Sequence, residues 1–259
     1  MATILIQNLT AATTPLTGAE LIPLVQGGIT KQTAMTNALA QPYYAKTTAE
    51  NTAGVTPTYY TYEPGDVRRY GAVGDGTTDD SAAIRTACSV LGNYGCLVFQ
   101  AGKLYRFEHT QPNPYTATGA QAGYVFNGKT GIRILAQGAT FVSTTVGNSV
   151  LGLFTFYDCT DCVVYGGTAE GSFTYDSAWT GAYVAFMGLC SNCRLEQGSI
   201  RGGYALAVII DRTSAVSGLA ANEPIGCYVS GYAQDARRLC MYLGCGAGHE
   251  VDVRAGNVA

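Results

Sequence analysis

Beyond Gly65, apolar and polar residues alternate in short runs that are broken by glycine, asparagine, aspartate and serine. Such alternation is typical of strands that bury one face. Five segments share one order, a short alternating strand, a glycine turn and often a second strand: GIRILAQGATF (131–141), DCVVYGGTAEGSF (161–173), NCRLEQGSIRGG (192–203), GCYVSGYAQD (226–235) and HEVDVRAGNV (249–258). The pattern predicts an all-β chain of many short strands.

The five segments also recur at a regular distance. Their equivalent points lie 30, 31, 34 and 23 residues apart, at Ile132, Cys162, Cys193, Cys227 and Glu250. A repeat of this length with strand-like texture indicates a solenoid, in which each repeat forms one coil that stacks on the preceding coil. Inward side chains would then form ladders of similar residues along the solenoid axis.

The first 64 residues have a different texture. The stretch ELIPLVQGGITKQTAM (20–35) holds two strand-like runs around a Gly-Gly pair, which predicts a hairpin, with Pro23 on an edge strand. Residues 47–64 mix Thr, Ala, Gly and Pro with tyrosines and show neither period, so we interpret them as a linker. A module of residues 1–46 is too small to bury much surface alone, and we expect it to need partner chains.

Glycines and aspartates are concentrated in VRRYGAVGDGTTDDSAAIRTA (67–87). Acidic residues beside glycines could hold a metal ion, act as acid catalysts, or begin a helix. The glycines permit turns that would strain other residues. Thr78 or Asp79 could cap a helix over about 79–92, and Asp79 and Asp80 would lie at its positive end. The residues that follow have helical spacing, so the structural interpretation is favoured over the metal and the catalytic ones.

The same stretch resembles the segment that opens the β-helix in the pectate-lyase-like superfamily of right-handed parallel β-helices. The matching residues that we assign to this structural motif are Tyr70, Gly71, Gly74, Asp75, Gly76, Asp79, Asp80 and Ile84. The resemblance implies a right-handed parallel β-helix over residues 65–259, with an N-terminal helix that caps the first coil. It is specific for fold and not for activity, because phage tailspikes, pectin-cleaving enzymes and inactive scaffolds share it.

The N-terminal stretch ILIQNLTAATTPLTGAELIPLVQGGITKQTAM (4–35) is similar to the small leading module of bacteriophage tail fibres and tailspikes. The expected virion-attachment hairpin contains Leu21, Ile22, Leu24, Val25, Gly27, Gly28 and Ile29. Together the two resemblances imply a homotrimeric tail fibre or tailspike protein that folds in the host cytoplasm and is assembled into the virion. Residues 1–46 would dock to the tail, the baseplate or an adaptor protein, and the β-helix would support recognition of host surface polysaccharide.

Composition narrows the function classes. Charged residues make up 13% of the chain and the formal net charge is −3, so the basic surface of a nucleic-acid-binding protein is not indicated. No apolar run approaches the ~20 residues that cross a bilayer. The N-terminus lacks the basic region and long apolar core of a signal peptide. We therefore expect no nucleic-acid partner, no membrane insertion and no cofactor.

Two Cys-x-x-Cys pairs stand out among nine cysteines. Cys159, Cys162, Cys190 and Cys193 could be four zinc ligands. However, the two pairs fall at the same phase of neighbouring repeats, which favours packing as small hydrophobic side chains in a ladder. Disulfides that form after release from the cell are a third alternative.

Residues that could act on or bind a polysaccharide are scattered. A glycosidase needs two carboxylates about 5 to 9.5 Å apart, and the acidic candidates, most of them at turns, are Asp158, Asp161, Glu170, Asp176, Glu196, Asp211, Glu223, Asp235 and Asp252. Glu170 shares a phase with Arg201, which fits a surface ion pair as well as a site. His109 and His249 are far apart, and neither pairs with a nucleophile in the sequence. Aromatic residues that could stack on sugars or form core rungs are Trp179, Tyr157, Tyr165, Tyr175, Tyr183, Tyr228 and Tyr232.

These patterns favour a structural role over catalysis. The alternative that we keep open is a tailspike depolymerase that cleaves capsular polysaccharide or lipopolysaccharide as a glycosidase or a lyase.

Overall fold

The computed structural model describes residues 21–26, 29–34, 44–112, 121–144, 152–171, 181–202, 205–210, 224–234, 241–243 and 247–256. The chain divides into two compact units, Met1–Tyr43 and Tyr44–Ala259.

In the first unit, strands β1 (Leu21–Gln26) and β2 (Ile29–Ala34) pair antiparallel, with Gln26 opposite Ile29. This pairing confirms the hairpin predicted from the sequence. Gly27 and Gly28, at the predicted turn, lie outside the described residues. The assignment of residues 1–46 to virion attachment stays a prediction.

The second unit begins with the segment that the sequence analysis interprets as a linker. Residues 47–64 contain helix α1 (Thr48–Thr52), and Thr47 and Glu50 form a reciprocal capping box at its start. A short 3-10 helix (Val67–Tyr70) follows and ends at Gly71, whose φ is 100°. The whole predicted linker therefore lies in the same compact unit as the β-helix. Its polar groups have partners that neither strand nor helix periodicity reveals.

Helix α2 (Ser81–Ser89) is present, and its buried residues include Ile84, Ala87 and Cys88. It is shorter than the predicted range of about 79–92 at both ends: the chain up to Asp79 is extended as a strand, and the helix ends at Ser89 with Val90 as its C-cap. The helix packs against the 3-10 helix and strand β8. Its function as a cap of the first coil stays a prediction.

Short strands account for most of the remaining described chain. They are β3 (Asp75–Asp79), β4 (Cys96–Val98), β5 (Leu104–Arg106), β6 (Gln111–Pro112), β7 (Gln121–Ala122), β8 (Tyr124–Asn127), β9 (Arg133–Leu135), β10 (Thr140–Ser143), β11 (Gly152–Tyr157), β12 (Val163–Tyr165), β13 (Thr168–Gly171), β14 (Ala182–Met187), β15 (Arg194–Gly202), β16 (Ala205–Ile210), β17 (Tyr228–Gln234), β18 (Met241–Leu243) and β19 (Glu250–Gly256).

The strands form three parallel stacks. The first stack contains β4, β9, β12 and the first halves of β15, β17 and β19. The second stack contains β3, β5, β10, β13 and the second halves of those three long strands. The third stack contains β8, β11, β14, β16 and β18. The chain visits the three stacks in turn in each coil, which defines a parallel β-helix; its right-handedness stays a prediction.

The register confirms the predicted repeat with one correction. Arg133, Val163, Arg194, Tyr228 and Glu250 are aligned on successive coils. The positions one residue earlier are therefore equivalent, and the fifth of them is His249 rather than the predicted Glu250. The His249 ring confirms this placement, because its Nδ1 accepts a hydrogen bond from the Cys227 backbone N–H at 3.2 Å.

The core consists of ladders between the stacks. One row of the first stack is fully buried from β4 to β17 and contains Leu97, Ile134, Val164, Leu195 and Val229; Val251 of β19, the next residue in register, is 43% exposed. The third stack contributes an aromatic row in which the rings of Phe126 and Phe156 stack with centroids 5.1 Å apart. Every residue of β11 and β14 is buried, so the third stack exposes neither face along these strands. The described outer surface of the solenoid is thus formed mainly by the first and second stacks.

Candidate functional site

The acidic residues of the opening motif are engaged by nearby backbone. The Asp75 carboxylate accepts hydrogen bonds from Thr77 N at 2.8 Å and from Thr78 N at 2.7 Å, and these bonds hold the pKa of Asp75 below its ordinary range. Asp80 accepts from Val73 N at 2.7 Å, while burial raises its pKa. These contacts hold the loop, in which Asp80 is buried and Asp75 is exposed.

The cap of helix α2 differs from the prediction. The N-cap residue is Asp80, whose side chain makes no capping hydrogen bond because it is turned back to Val73 and Gly74. Asp79 instead accepts from Ser81 N at 3.0 Å. Thr78 donates its hydroxyl to Asp75 and is not the cap. The positive φ values of Gly74 (65°) and Gly76 (79°) agree with the turns expected there.

Tyr70 of the opening motif joins a buried ionic cluster. The Arg69 guanidinium binds Glu50 in bidentate fashion, with Nε–Oε1 at 2.6 Å and Nη2–Oε2 at 3.0 Å, and the Tyr70 hydroxyl donates to the same carboxylate at 2.9 Å. Arg69 also donates to the carbonyls of Tyr44, Tyr62 and Ala45. Burial would raise the pKa of Glu50, but the hydrogen bonds from Arg69, Thr47 N and Tyr70 lower it to about 2.

A second buried polar cluster brings His109 close to a serine, which the sequence did not reveal. The Ser143 hydroxyl donates to Glu108 Oε2 at 2.9 Å and lies 3.2 Å from His109 Nδ1. Because Ser143 has one proton and gives it to the carboxylate, His109 Nδ1 must be the donor in its contact with Ser143. A nucleophilic serine must instead give its proton to the histidine. Both His109 and Ser143 are fully buried, and in this arrangement the serine is not activated by the histidine.

The four cysteines of the two Cys-x-x-Cys pairs lie on adjacent coils, as expected for a ladder. Ser191 N donates to Cys159 O at 2.9 Å and Arg194 N donates to Cys162 O at 2.8 Å, which aligns the two pairs. The four thiols are fully buried and free. Hydrogen bonding with Cys162 and Cys190, together with burial, raises the pKa of Cys159. Within the described ranges, no three His, Cys, Asp or Glu side chains are grouped so that they could hold a metal ion.

The structure separates the candidate carboxylates. Asp158 and Asp161 occupy turns with φ of 52° and 53°, and Asp158 Oδ1 accepts from Leu189 N. Glu170 is in register with Arg201 on the second stack, but in the described part of the chain the two are not an ion pair within 4.0 Å. Four candidates lie outside the described residues: Asp176, Asp211, Glu223 and Asp235.

The remaining candidates meet on the outer face of the first stack. Arg194, Tyr228 and Glu250 are consecutive in one outward row. In the adjacent outward row, Tyr165 is in register with Glu196, and Asp252 follows beyond an irregularity in β15. Arg194 Nη1 lies 3.7 Å from Glu196 Oε1. We call this surface the flank patch; it consists of Tyr165, Arg194, Glu196, Tyr228, Glu250 and Asp252.

The flank patch combines the groups that a sugar chain needs. Partly exposed tyrosine rings offer apolar faces, carboxylates accept hydrogen bonds from hydroxyls, and the guanidinium donates them. Tyr157 and Tyr183 are instead buried core residues, whereas Tyr232 is exposed on the second stack. Trp179 and Tyr175 lie outside the described residues. Arg194 and Glu250 are not among the candidate binding residues predicted from the sequence, although alternation in NCRLEQ and HEVDV places both on the outer face.

Comparison with known proteins gives limited similarity. No family model and no curated protein matches the chain. Solved structures with a similar course include a candidate glycosyl hydrolase of Parabacteroides merdae (14% identity, 73% of this chain and 94% of the other, TM-score 0.45). An iota-carrageenase complexed to iota-carrageenan fragments aligns over 70% of this chain and 41% of its own length, with 15% identity and TM-score 0.47.

A third similar structure is ORF18 of Geobacillus virus E2, with 14% identity over 92% of this chain and 48% of the other, and TM-score 0.32. The chain therefore spans less than half the length of the carrageenase and of the viral protein. At these identities and scores the similarities carry no inference about activity.

The strand pairing itself defines the chain as a parallel β-helix protein. In the described segments, no helix is long and apolar enough to span a membrane.

Proposed function

We propose that the chain is a structural protein of a bacteriophage tail, a tail fibre or tailspike that attaches to the virion and supports recognition of host surface polysaccharide. The first compact unit would dock to the tail, the baseplate or an adaptor protein. The β-helix would present the flank patch to the glycan, and three copies would assemble in the virion.

The observation that carries the proposal is the flank patch on a rigid solenoid. Four of its side chains lie on strands whose inward neighbours Val164, Leu195 and Val229 are fully buried, so the backbone under these four side chains is fixed before a ligand arrives. The four are Tyr165, Arg194, Glu196 and Tyr228. The resemblance of residues 4–35 to leading modules of phage tail proteins supports the virion role. The separation of the chain after Tyr43 is compatible with an attachment unit and a recognition unit.

Two measurements test the proposal. Purified protein is exposed to immobilised bacterial capsular polysaccharides and lipopolysaccharide O-antigens, and Tyr228→Ala is compared with Glu170→Gln on the second stack. We expect the tyrosine variant to weaken binding by about tenfold, by analogy with the stacking of a nucleobase on an aromatic side chain, which is worth ~1–3 kcal/mol. Deleting residues 1–43 should abolish incorporation into particles; particles that still contain the shortened protein would contradict the attachment role.

A depolymerase is the second candidate, and one observation favours it. Glu250 and Asp252 are exposed and lie two residues apart on the same face of β19. That spacing puts their Cα atoms about 6.6 Å apart, so two carboxylates, the number that a glycosidase needs, project from neighbouring positions on one face. Release of oligosaccharides by the wild-type protein, lost in both Glu250→Gln and Asp252→Asn, would replace the purely structural proposal with this one.

A further inference from the structure

A cleft of about 330 Å³ opens beside the start of the solenoid. Its polar lining comes from the segment before the first coil and contains Tyr44, Thr61, Tyr62, Glu63, Asp66 and Arg68. Val98 of β4 completes the wall. The volume lies at the lower end of the ~300–1,000 Å³ range of small-molecule sites, so the cleft fits one small ligand or one unit of a longer chain.

Arg68 is held rigidly in this cleft. Its Nη2 donates to Asp66 Oδ2 at 2.6 Å, its Nη1 donates to Gln100 Oε1 at 2.8 Å, and the guanidinium lies over the Tyr62 ring at 4.3 Å. A guanidinium carries five N–H donors, so these contacts and the Nε bond to Asp66 leave one donor on each terminal nitrogen. Because the side chain is still 29% exposed, those donors can reach a ligand at little entropic cost.

Glu63 supplies the complementary acceptor. The Tyr44 hydroxyl donates to its Oε1 at 2.9 Å and orients the exposed carboxylate. Asp66 neutralises Arg68, so the remaining charge of the cleft is that of Glu63. An anionic ligand is therefore disfavoured. A neutral ligand with adjacent hydroxyl groups can both donate to the carboxylate and accept from the guanidinium.

The cleft is continuous with the flank patch along the solenoid axis. Val98, Leu135, Tyr165 and Glu196 are in register on four successive coils of the first stack, in one outward row. Leu135 is 36% exposed, so no described chain covers the row between the two sites. With coils spaced ~4.8 Å apart, Val98 and Glu196 lie about 14 Å apart. Arginines and carboxylates occur together along this surface. A polysaccharide ligand without a strong charge of its own fits such a mixed surface.

We propose that the cleft is the terminal subsite of a glycan-binding track that runs along the first stack and continues into the flank patch. The ligand is a neutral polysaccharide whose end unit occupies the cleft, where Arg68 donates to its hydroxyls and Glu63 accepts from them. The inference rests on the proposed recognition of polysaccharide. It specifies in addition that the bound glycan runs along the solenoid axis and that its end unit lies in the cleft.

The test uses the full chain and size-fractionated oligosaccharides of the capsular polysaccharide or O-antigen that the wild-type protein binds on an array. The cleft variants are Glu63→Gln and Arg68→Lys, and their matched controls on the second stack are Glu170→Gln and Arg201→Lys. Thermal unfolding confirms that each variant is folded. Glu63→Gln is the decisive variant, because the exposed side chain changes no buried contact.

We expect each cleft variant to weaken the binding of long oligosaccharides by about tenfold, because a hydrogen bond to a charged group is stronger than one to a neutral group and the geometry of the guanidinium is lost in lysine. Fragments too short to extend from the flank patch to the cleft should bind all cleft variants and the wild type equally. The second-stack controls should bind both size classes like the wild type.

Two results would overturn the inference. In the first, flank-patch variants no longer bind long oligosaccharides while cleft variants bind them like the wild type. The assignment of the cleft as a terminal subsite is then wrong, and the proposed function is unaffected. If the wild-type protein binds no polysaccharide on the array, both the inference and the proposed recognition of polysaccharide are wrong.

Discussion

At the scale of single residues, the Glu50–Arg69 ion pair fixes how the chain enters the solenoid. Side chains of both residues are at most 1% exposed. An unpaired guanidinium at this depth is unfavourable, because burial removes its hydration. The carboxylate that neutralises Arg69 is that of Glu50, which lies in residues 47–64, the segment that the sequence predicts to be a linker. Tyr70 of the opening motif is the third member of this cluster, because its hydroxyl donates a hydrogen bond to the Glu50 carboxylate. The hydroxyl of this motif residue therefore has a structural role.

We predict that Glu50→Gln lowers the free energy of unfolding by about 3–5 kcal/mol at neutral pH, the usual cost of breaking a buried pair. Because the folded-state pKa of Glu50 is lowered to about 2 from 4.5, the stabilisation is fully present above about pH 4.5 and is lost as the pH falls toward 2. Chemical denaturation at pH 7 and pH 3 measures both effects.

The control for this prediction is Glu170→Gln, a partly exposed surface carboxylate for which we expect a change within about 0.5 kcal/mol. A difference between Glu50→Gln and the wild type that does not shrink at pH 3 would contradict the role assigned to the charge.

At the scale of elements, the corners between strands depend on glycines in the left-handed region. Gly128 and Gly167 both have positive φ, 59° and 83°. A Cβ at Gly128 would meet no atom within 4 Å, whereas a Cβ at Gly167 would collide with the Tyr183 hydroxyl, which donates to Gly166 O. An alanine at Gly128 would therefore introduce backbone strain alone, whereas an alanine at Gly167 would introduce backbone strain and a steric clash.

We predict that Gly128→Ala costs about 1–2 kcal/mol, the ordinary penalty of the left-handed conformation. Gly167→Ala should cost about 1–3 kcal/mol more, because the buried Tyr183 hydroxyl must also lose its partner. Equilibrium unfolding of the two variants gives the difference directly. Equal losses would show that the corner adjusts without displacing Tyr183.

The cysteine ladder makes a separate element-scale prediction. Because Cys159, Cys162, Cys190 and Cys193 are fully buried, we expect all four to resist alkylation in the native protein and to react together on unfolding. Mass spectrometry of labelled peptides resolves each site, and Cys96, which is partly exposed, serves as the internal control. Bound zinc in the purified protein, or a disulfide between the coils, would favour one of the alternatives that the spacing alone left open.

The strands and helix α2 could be predicted from repeats and helical spacing in the sequence. Apolar residues must recur at the inward positions of every coil, because stacked coils share one core. The ladders through Cys162, Cys193 and Cys227 and the helix around Ile84 follow from that constraint. Polar contacts between distant segments leave no periodic signal. The cluster of Glu108, Ser143 and His109 was therefore invisible in the sequence, and so was the cleft around Arg68.

At the scale of the whole molecule, the sequence predicts two boundaries, after residue 46 and at Gly65. The structure divides the chain into compact units after Tyr43, close to the first boundary and well before the second. The carbonyls of Tyr44 and Ala45 accept hydrogen bonds from Arg69, and α1 carries Glu50. Residues 44–64 thus contact the rest of the β-helix unit through a few specific polar groups, and such contacts leave no periodic pattern in the sequence.

Two truncations distinguish these boundaries. A chain that lacks residues 1–43 keeps the complete Glu50–Arg69–Tyr70 cluster, so we expect a cooperative unfolding transition of the β-helix unit close to that of the full chain. A chain that lacks residues 1–64 leaves Arg69 without its carboxylate, and we expect a loss of at least about 3–5 kcal/mol. Arg69→Met in the shorter chain is the informative control, because removing the uncompensated charge should restore part of the loss. If both truncated chains unfold alike, residues 44–64 are a linker after all.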